Sequence, residues 1–551
     1  MNTFVKVTTL KLMQRNTLLF ARCCIRHTSC AWTRETLSWM RAQAKKVVFQ
    51  FQISLVVVLA GGCATVPLDQ PKSYSEAITD TADTHFGKLA NGWVDLHEQK
   101  SGFFPLVQGM DALGARLDMA NKAEKSLDLQ YFLMKDDKAG LVIMNSLLGA
   151  ADRGVRVRFL LDDIFTTATD RNLSLINQHP NIEVRLFNPI SRRGLHFVNL
   201  AGDFKQANRR MHNKTFTVDN AISVVGGRNL ADEYFQLKEE SVFSDFDILA
   251  FGPIVREIST SFDAYWNHAL AVPAEQVLNR QHIEPLESER RRISEESDDV
   301  YASVYRQALE SDLLQDLITG MQDLFVADAR VMSDDPDKLV NEVGEEHMQL
   351  VTELDALLRR AEQELMFIAP YYVPGDDGVQ YARDLVSRDL RVLMVTNSLR
   401  SNNHIAAHSG YARYRRDVID AGVELYEVRA NAGREVQGGE GPEALTMHTK
   451  LTLIDRRYLL VGSLNLDPRA IELNSEFGLL IESEALTGAI ASAIDDTITT
   501  FAYHVVKDDK GRLEWRGNVG GVEVVETSEP LASGWRRFKA WFMKIVPESQ
   551  L

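Results

Sequence analysis

The sequence predicts an α/β protein built as a duplicated domain, each half carrying a mixed or mainly parallel sheet covered by helices. Three observations carry this. One polar motif occurs twice with the same internal spacing. Helical and strand-like segments alternate ahead of each copy. Landmarks outside the motif keep nearly the same distance from it: Ala123-Glu124 stands 89 residues before His212, and Ala361-Glu362 stands 87 before His448.

In chain order, residues 1–62 read as a targeting segment. Lys45-Lys46 precede the apolar run Val47 to Ala60, which leads into Gly61-Gly62-Cys63. A basic, then apolar, then small-residue order describes a secretory signal. Ending at a cysteine, it resembles a lipoprotein signal, cleaved before Cys63 and lipidated on that thiol. Met40 is a sensible start for such a signal, so residues 1–39 read as a misassigned start. The competing reading is an uncleaved anchor, since about 20 residues span a bilayer. Either reading tethers the body to a membrane of the bacterial envelope, facing the periplasm. No cysteine follows Cys63, so no disulfide supports the fold. Residues 63–100 are polar and read as the tether.

Residues 101–285 are expected to form the first lobe, with helices at Met110–Lys125 and Ala139–Arg153 and strands at Leu127–Leu133 and Val155–Leu161. The charge run between Glu284 and Asp299, without apolar periodicity, reads as a solvated seam. Residues 286–505 are expected to form the second lobe, with strands at Leu365–Ile368 and Leu390–Thr396. Residues 506–551 read as a C-terminal extension. Within it, Trp535 to Ile545 gathers aromatics on one helical side, which suits either an interfacial helix or one docked on the lobe. Pro189 to Leu200 mixes arginines with apolar residues and reads either as a lipid-dipping loop or as a basic loop packed on the lobe.

The motif itself carries the chemistry. The second copy, from Met447, reads MHTKLTLIDRRYLLVGSLNLDPRAIELNSE, and the first, from Met211, reads MHNKTFTVDNAISVVGGRNLADEYF. His212, Lys214, Asp219, Gly226 and Asn229 repeat the spacing of His448, Lys450, Asp455, Gly462 and Asn465 without a shift. On a strand, residues two apart share a face, so each histidine and lysine point together. An imidazole, an ammonium and a carboxamide around one space suit a phosphate: the imidazole attacks, the ammonium supplies charge, and Asn229, Asn465 and groups at Gly227 and Ser463 bind oxygens. Aligned downstream, Asp245 falls against Glu476, and each carboxylate is expected to fix a histidine tautomer. Asp219 and Asp455 lie an odd number of residues from their lysines and read as turn-stabilising. No metal is expected, because an ammonium beside each histidine repels a dication.

The pattern H-x-K-x4-D-x6-G-[GS]-x-N, twice, resembles the phospholipase D superfamily. The flanks RRMHNKTFTVD, VGGRNLADEYF and SDFDILAFGP are most similar to bacterial cardiolipin synthases of the C group. The resemblance runs from about Phe104 to the C-terminus. It implies two α/β/α phospholipase D-like lobes meeting at one active site, His–carboxylate contacts that cross between lobes, a phosphohistidine intermediate and no cofactor. That family treats the positions of Asp219 and Asp455 as part of its catalytic signature, so both stay among the candidates. It also implies phosphatidylethanolamine and phosphatidylglycerol as substrates, an accessory protein encoded elsewhere, and catalysis by the monomer.

Four functions fit these residues: phosphatidyl transfer making cardiolipin, phospholipid hydrolysis, nucleic-acid phosphodiester cleavage, and lipid binding without turnover. A net charge of −16 disfavours a dedicated nucleic-acid binder. The membrane signal and the flanking residues favour lipid transfer.

Overall fold

The computed structural model describes Val66, Leu68 and residues 71–545, except for 165–169, 193–206, 239–240, 279–284, 289, 292, 296–301, 304–305, 307–323, 345–346 and 434–443. Cys63, the signal segment and residues 193–200 of the basic loop lie outside the described residues.

Both lobes are built on one plan. In the first, the parallel strands Ser126–Tyr131, Arg156–Asp162 and Ile182–Phe187 form the sheet centre. The motif hairpin, Thr215–Val218 and Ile222–Gly226, pairs antiparallel against Ser126–Tyr131. Asp247–Phe251 and Ser101–Leu106 continue outward on that side. In the second lobe, Glu364–Ile368, Arg391–Asn397 and Glu424–Val428 are the parallel centre. The hairpin Leu451–Ile454 and Tyr458–Gly462 pairs with the first of these, and Phe477–Glu482 and Phe325–Ser333 follow. Alternate residues of the central strands face opposite sides, so each sheet buries two faces. Phe159 and Leu161 pack under helices Gly109–Lys122 and Lys138–Asp152, whereas Leu160 packs with Phe262 and Trp266 of helix Ile254–Asn267.

Two contacts join the lobes. The outermost strands pair antiparallel, Gly102 opposite Val326, so the two sheets run into one. The inner faces also share a core: Val225, Phe246 and Ile248 of the first lobe pack with Leu459, Val461, Phe477 and Leu479 of the second. Fully burying side chains of this size is worth about 1.5–3 kcal/mol each, so this seam is a core and not a hinge.

Three segments differ from their sequence reading. Residues 71–96 are not a free tether. Arg185 donates to the Ser73 carbonyl, Trp266 Nε1 donates to Ser75 Oγ at 2.9 Å, and helix His85–Leu96 buries Phe86 and Trp93 in the first lobe. The start of the charged seam also belongs to that lobe, because Leu286 and Ile293 are buried in its core. Two apolar residues seven apart were hidden among charges, and only the packing reveals them. The C-terminal extension in turn widens the second sheet, adding Ala502–Lys507, Leu513–Val519 and Val522–Glu526 beyond Glu424–Val428.

Candidate active site

The two motif histidines lie where the lobes meet. Main-chain pairing brings each of them beside the other lobe's carboxylate. Ala444–Met447 runs parallel to Ser241–Ser244, and the His448 N–H donates to the Ser244 carbonyl at 2.7 Å. On the pseudo-symmetric side, Met211 bridges Ser475, and the His212 N–H donates to the Ser475 carbonyl at 2.9 Å. The side chains follow. His448 Nδ1 lies 2.6 Å from Asp245 Oδ2, and His212 Nδ1 lies 2.9 Å from Glu476 Oε2. Partners 203 and 264 residues apart thus meet in crossed pairs. With Nδ1–H held by a carboxylate, each Nε2 keeps its lone pair.

Every group here is buried. Lys214 and Lys450 each donate Nζ–H to the carbonyl of the histidine two residues before, at 2.5 Å, and Lys450 Nζ lies 3.1 Å from His448 Nδ1. Burial and the two ammoniums work together on the imidazoles. Burial first, then Lys214 and Lys450, holds His212 well below its ordinary value. Burial first, then Lys450, pushes His448 down to about 3 against the pull of Asp245. Both rings are therefore held neutral near pH 7. Burial also lowers Lys214 to about 7 and Lys450 to about 8, and raises Glu476 to about 7. An anion entering this space restores charge to the lysines and makes an imidazolium affordable.

The asparagines of the motif share one feature. The carboxamide oxygens of Asn229 and Asn465 are buried without a hydrogen-bond partner among the described residues. An amide oxygen only accepts, so these atoms cannot bind a phosphate oxygen as expected, and the Asn229 Nδ2 that could already donates to the Tyr234 hydroxyl at 3.0 Å.

Four expected roles need correction. Gly227 and Ser463 do not offer donors to a phosphate. Their N–H groups donate to Phe246 O at 3.2 Å and Phe477 O at 2.8 Å, and the Ser463 hydroxyl donates to Glu476. Gly227 is small because a Cβ there would stand 2.2 Å from Asp245 Oδ1. Asp219 and Asp455 are placed away from the reacting groups. Asp219 accepts the N–H groups of Glu124, Lys125 and Ser126 at 2.8–3.1 Å, and Asp455 those of Glu362, Gln363 and Glu364 at 2.8–3.0 Å. Each sits in its hairpin turn at positive φ, 49° and 53°, and fastens the entry of the neighbouring strand. Their carboxylates stabilise that entry, and their hydrogen bonds go to it and not to the motif histidines or motif lysines.

Sequence reasoning missed the residues that seat the motif. Asp162 Oδ2 accepts the Met211 N–H at 2.9 Å and is itself held by Arg210. In the second lobe Asn397 replaces it, with Oδ1 accepting the Met447 N–H at 2.9 Å. Each ends the second of its lobe's three parallel strands, 50 and 51 residues before the histidine, a spacing the repeat could have exposed. Arg469, close enough to lower both His212 and His404, was also missed.

Comparison with known proteins agrees with this geometry. The family described as "Cardiolipin synthase, PLD-like domain" matches residues 117–266 and 354–498, one match per lobe. The chain belongs to this family. It is 36% identical over 455 residues to cardiolipin synthase C of Escherichia coli (strain K12), covering 82% of this chain and 96% of that one. It is 23% identical over 394 residues to a cardiolipin synthase of Oceanobacillus iheyensis, covering 71% and 67% of the two chains. The crystal structure of phosphatidylserine synthase from Haemophilus influenzae Rd KW20 superposes with a TM-score of 0.52 at 14% identity, over 84% of this chain and 100% of that one, a likeness of fold. The protein is thus a phosphatidyltransferase of the phospholipase D superfamily acting on phospholipids.

Proposed function

We propose that the enzyme makes cardiolipin, transferring a phosphatidyl group from one membrane glycerophospholipid to the hydroxyl of another through a phosphohistidine. The observation that carries this reading is the crossed pair of histidine–carboxylate contacts: two imidazoles, each held at Nδ1 by the other lobe's carboxylate, with Lys450 Nζ 3.3 Å from His448 Nε2.

The steps follow from the residues. The neutral His212 Nε2 attacks phosphorus, and the P–O bond to the head-group alcohol breaks as the P–N bond forms. His448, protonated once the anionic diester is bound, gives its Nε2 proton to the leaving alkoxide. The hydroxyl of phosphatidylglycerol then passes its proton to His448 and attacks phosphorus, and the P–N bond breaks to give cardiolipin. This assignment rests on the carboxylates. Burial pushes Asp245 up, but an imidazolium at His448, together with Lys450 and Arg228, outweighs it and keeps it below the usual range. An ionised Asp245 at 2.6 Å supports an imidazolium better than Glu476, which burial raises to about 7. Lys214 and Lys450 stabilise charge developing on the phosphoryl oxygens, each such donor being worth about 3 kcal/mol in a dry site.

Water would serve equally as acceptor, so transfer depends on excluding it and placing the lipid hydroxyl. The donor we favour is phosphatidylethanolamine, and the body is held at the envelope membrane through Cys63 or an anchor. Purified enzyme in mixed phosphatidylethanolamine–phosphatidylglycerol vesicles, with and without cell extract to supply an accessory protein, tests the reading by mass spectrometry. Cardiolipin is expected to exceed phosphatidic acid. Phosphatidic acid as the dominant product in both conditions would make the enzyme a hydrolase.

A further inference from the structure

Every exposed tryptophan and phenylalanine among the described residues lies on one helix, Gly534–Met543. Trp535, Trp541 and Phe542 are 64%, 66% and 53% exposed, and Phe538 and Ile545 join them. The helix is firmly seated by its opposite side. Ala540 is buried, the Ser409 hydroxyl donates to its carbonyl at 2.8 Å, and Arg536 Nε donates to the Leu399 carbonyl at 2.7 Å. Docking and exposure, alternatives in the sequence, therefore coexist: the small residue faces the lobe and the large ones face out. The aromatic rings form a ridge, with centroids 5.4 Å apart for Trp535–Phe538 and 5.9 Å for Phe538–Trp541.

Charge and shape say what meets this ridge. Arg537, Lys539 and Lys544 are exposed among the aromatics, on a chain of net charge −16. Aromatic bodies with interleaved cations suit the head-group layer of an anionic leaflet. A helix of 10 residues rises about 15 Å, half the thickness of a bilayer core, so it can lie in the interface but not span it. Beside the helix runs a groove of about 600 Å³ lined by His404, Ile405, Ala406, Phe538 and Phe542. His404 on the wall of this groove is linked to the second motif by a chain of contacts. The His404 ring packs edge-on to Tyr371 at 5.8 Å, and the Tyr371 hydroxyl donates to Asn403 Oδ1 at 2.8 Å. The Tyr371 carbonyl accepts the N–H of Leu466, the neighbour of Asn465, at 3.1 Å.

We propose that helix 534–543 and this groove are the surface by which the enzyme seats its second lobe on an anionic glycerophospholipid leaflet, an acyl chain entering the groove while its phosphate reaches the histidines. The proposal rests on the lipid-transferase reading for the acyl chain and on the ridge alone for the docking.

Two measurements on the full-length protein in phosphatidylethanolamine–phosphatidylglycerol vesicles test it. Phosphatidylglycerol brominated on its acyl chains should quench tryptophan fluorescence, and the quenched component should disappear in a Trp535→Tyr/Trp541→Tyr variant. Replacing Arg537, Lys539 and Lys544 with Gln should weaken that component. In the second measurement, Trp541→Ser combined with Arg537→Gln and Lys544→Gln, none of which lines the groove, should lower turnover of long-chain lipid in vesicles at least ten-fold, leaving turnover of monomeric short-chain phosphatidylethanolamine and phosphatidylglycerol unchanged. No difference in quenching between the unaltered protein and the tyrosine variant would overturn the proposal. So would equal losses on both substrates, which would make the helix structural or a seat for another protein. Quenching at Trp535 and Trp541 with no turnover of either lipid would keep the docking surface and overturn the transferase reading alone.

Discussion

Replacing Asp219 with Ala should destabilise the protein without disabling its chemistry. The carboxylate is fully buried and accepts three main-chain N–H groups, from Glu124, Lys125 and Ser126. Each hydrogen bond to a charged acceptor contributes about 1 kcal/mol or more net, so the substitution should cost about 3 kcal/mol. Ala also fits the positive φ of 49° poorly, which adds to the loss, whereas Asn tolerates that conformation and keeps one acceptor. For a lobe of this size the Ala variant should melt about 6–12 °C lower, with Asn in between. Asp455 is only half-buried and two of its donors, on Glu362 and Gln363, are exposed, so Asp455→Ala should lose about half as much. Thermal unfolding, combined with turnover per folded molecule at 25 °C, reads both quantities. The folded fraction should turn over within about three-fold of the unaltered enzyme. An Asp219→Ala protein that melts normally yet loses a hundred-fold or more in turnover would refute the structural role and return this residue to the chemistry.

The remaining predictions concern the site and the tether. His448→Ala incubated with phosphatidylethanolamine labelled at phosphorus should trap phosphate on His212, whereas label on His448 in the His212→Ala protein would reverse the two roles. Lys214 and Lys450, lowered to about 7 and about 8, carry charge below those values and lose it above them. Sulfate, whose own charge is constant, should therefore inhibit progressively less as pH rises from 7 to 9; a constant inhibition constant across that range would contradict the shifts. Turnover should survive EDTA, because the two ammoniums supply the charge a metal would; complete loss restored by zinc or magnesium would overturn the mechanism. Cys63→Ser should abolish incorporation of labelled palmitate, and failure of the unaltered protein to incorporate any would favour an uncleaved anchor.

The duplicated chemistry and most of the sheet framework were legible in the order of residues alone. The spacing of two paired His212 with Lys214 and His448 with Lys450, although both pairs lie just ahead of the strands Thr215–Val218 and Leu451–Ile454 and not on them as expected. The strands at 126–131, 156–162, 364–368 and 391–397 were legible because the period of two is a local property, with ends displaced by a residue or two. Aligning the two copies downstream, with a gap in the second, also identified Asp245 and Glu476. What only tertiary structure decided is which groups meet. The crossed pairing of His212 with Glu476 and of His448 with Asp245, implied by the family resemblance but not by the residues themselves, depends on the apolar seam between Val225, Ile248, Leu459 and Leu479, which presents one lobe to the other. The same packing commits the Gly227 and Ser463 N–H groups to neighbouring strands and turns Asp219 away from the histidines. It also sets the pKa shifts, since burial leads each of them and burial is a property of the assembled lobes. Residues 71–96 and the pair Leu286 and Ile293 make the same point from outside the site. Their few apolar side chains look unremarkable among polar neighbours until a complementary surface, distant in sequence, covers them.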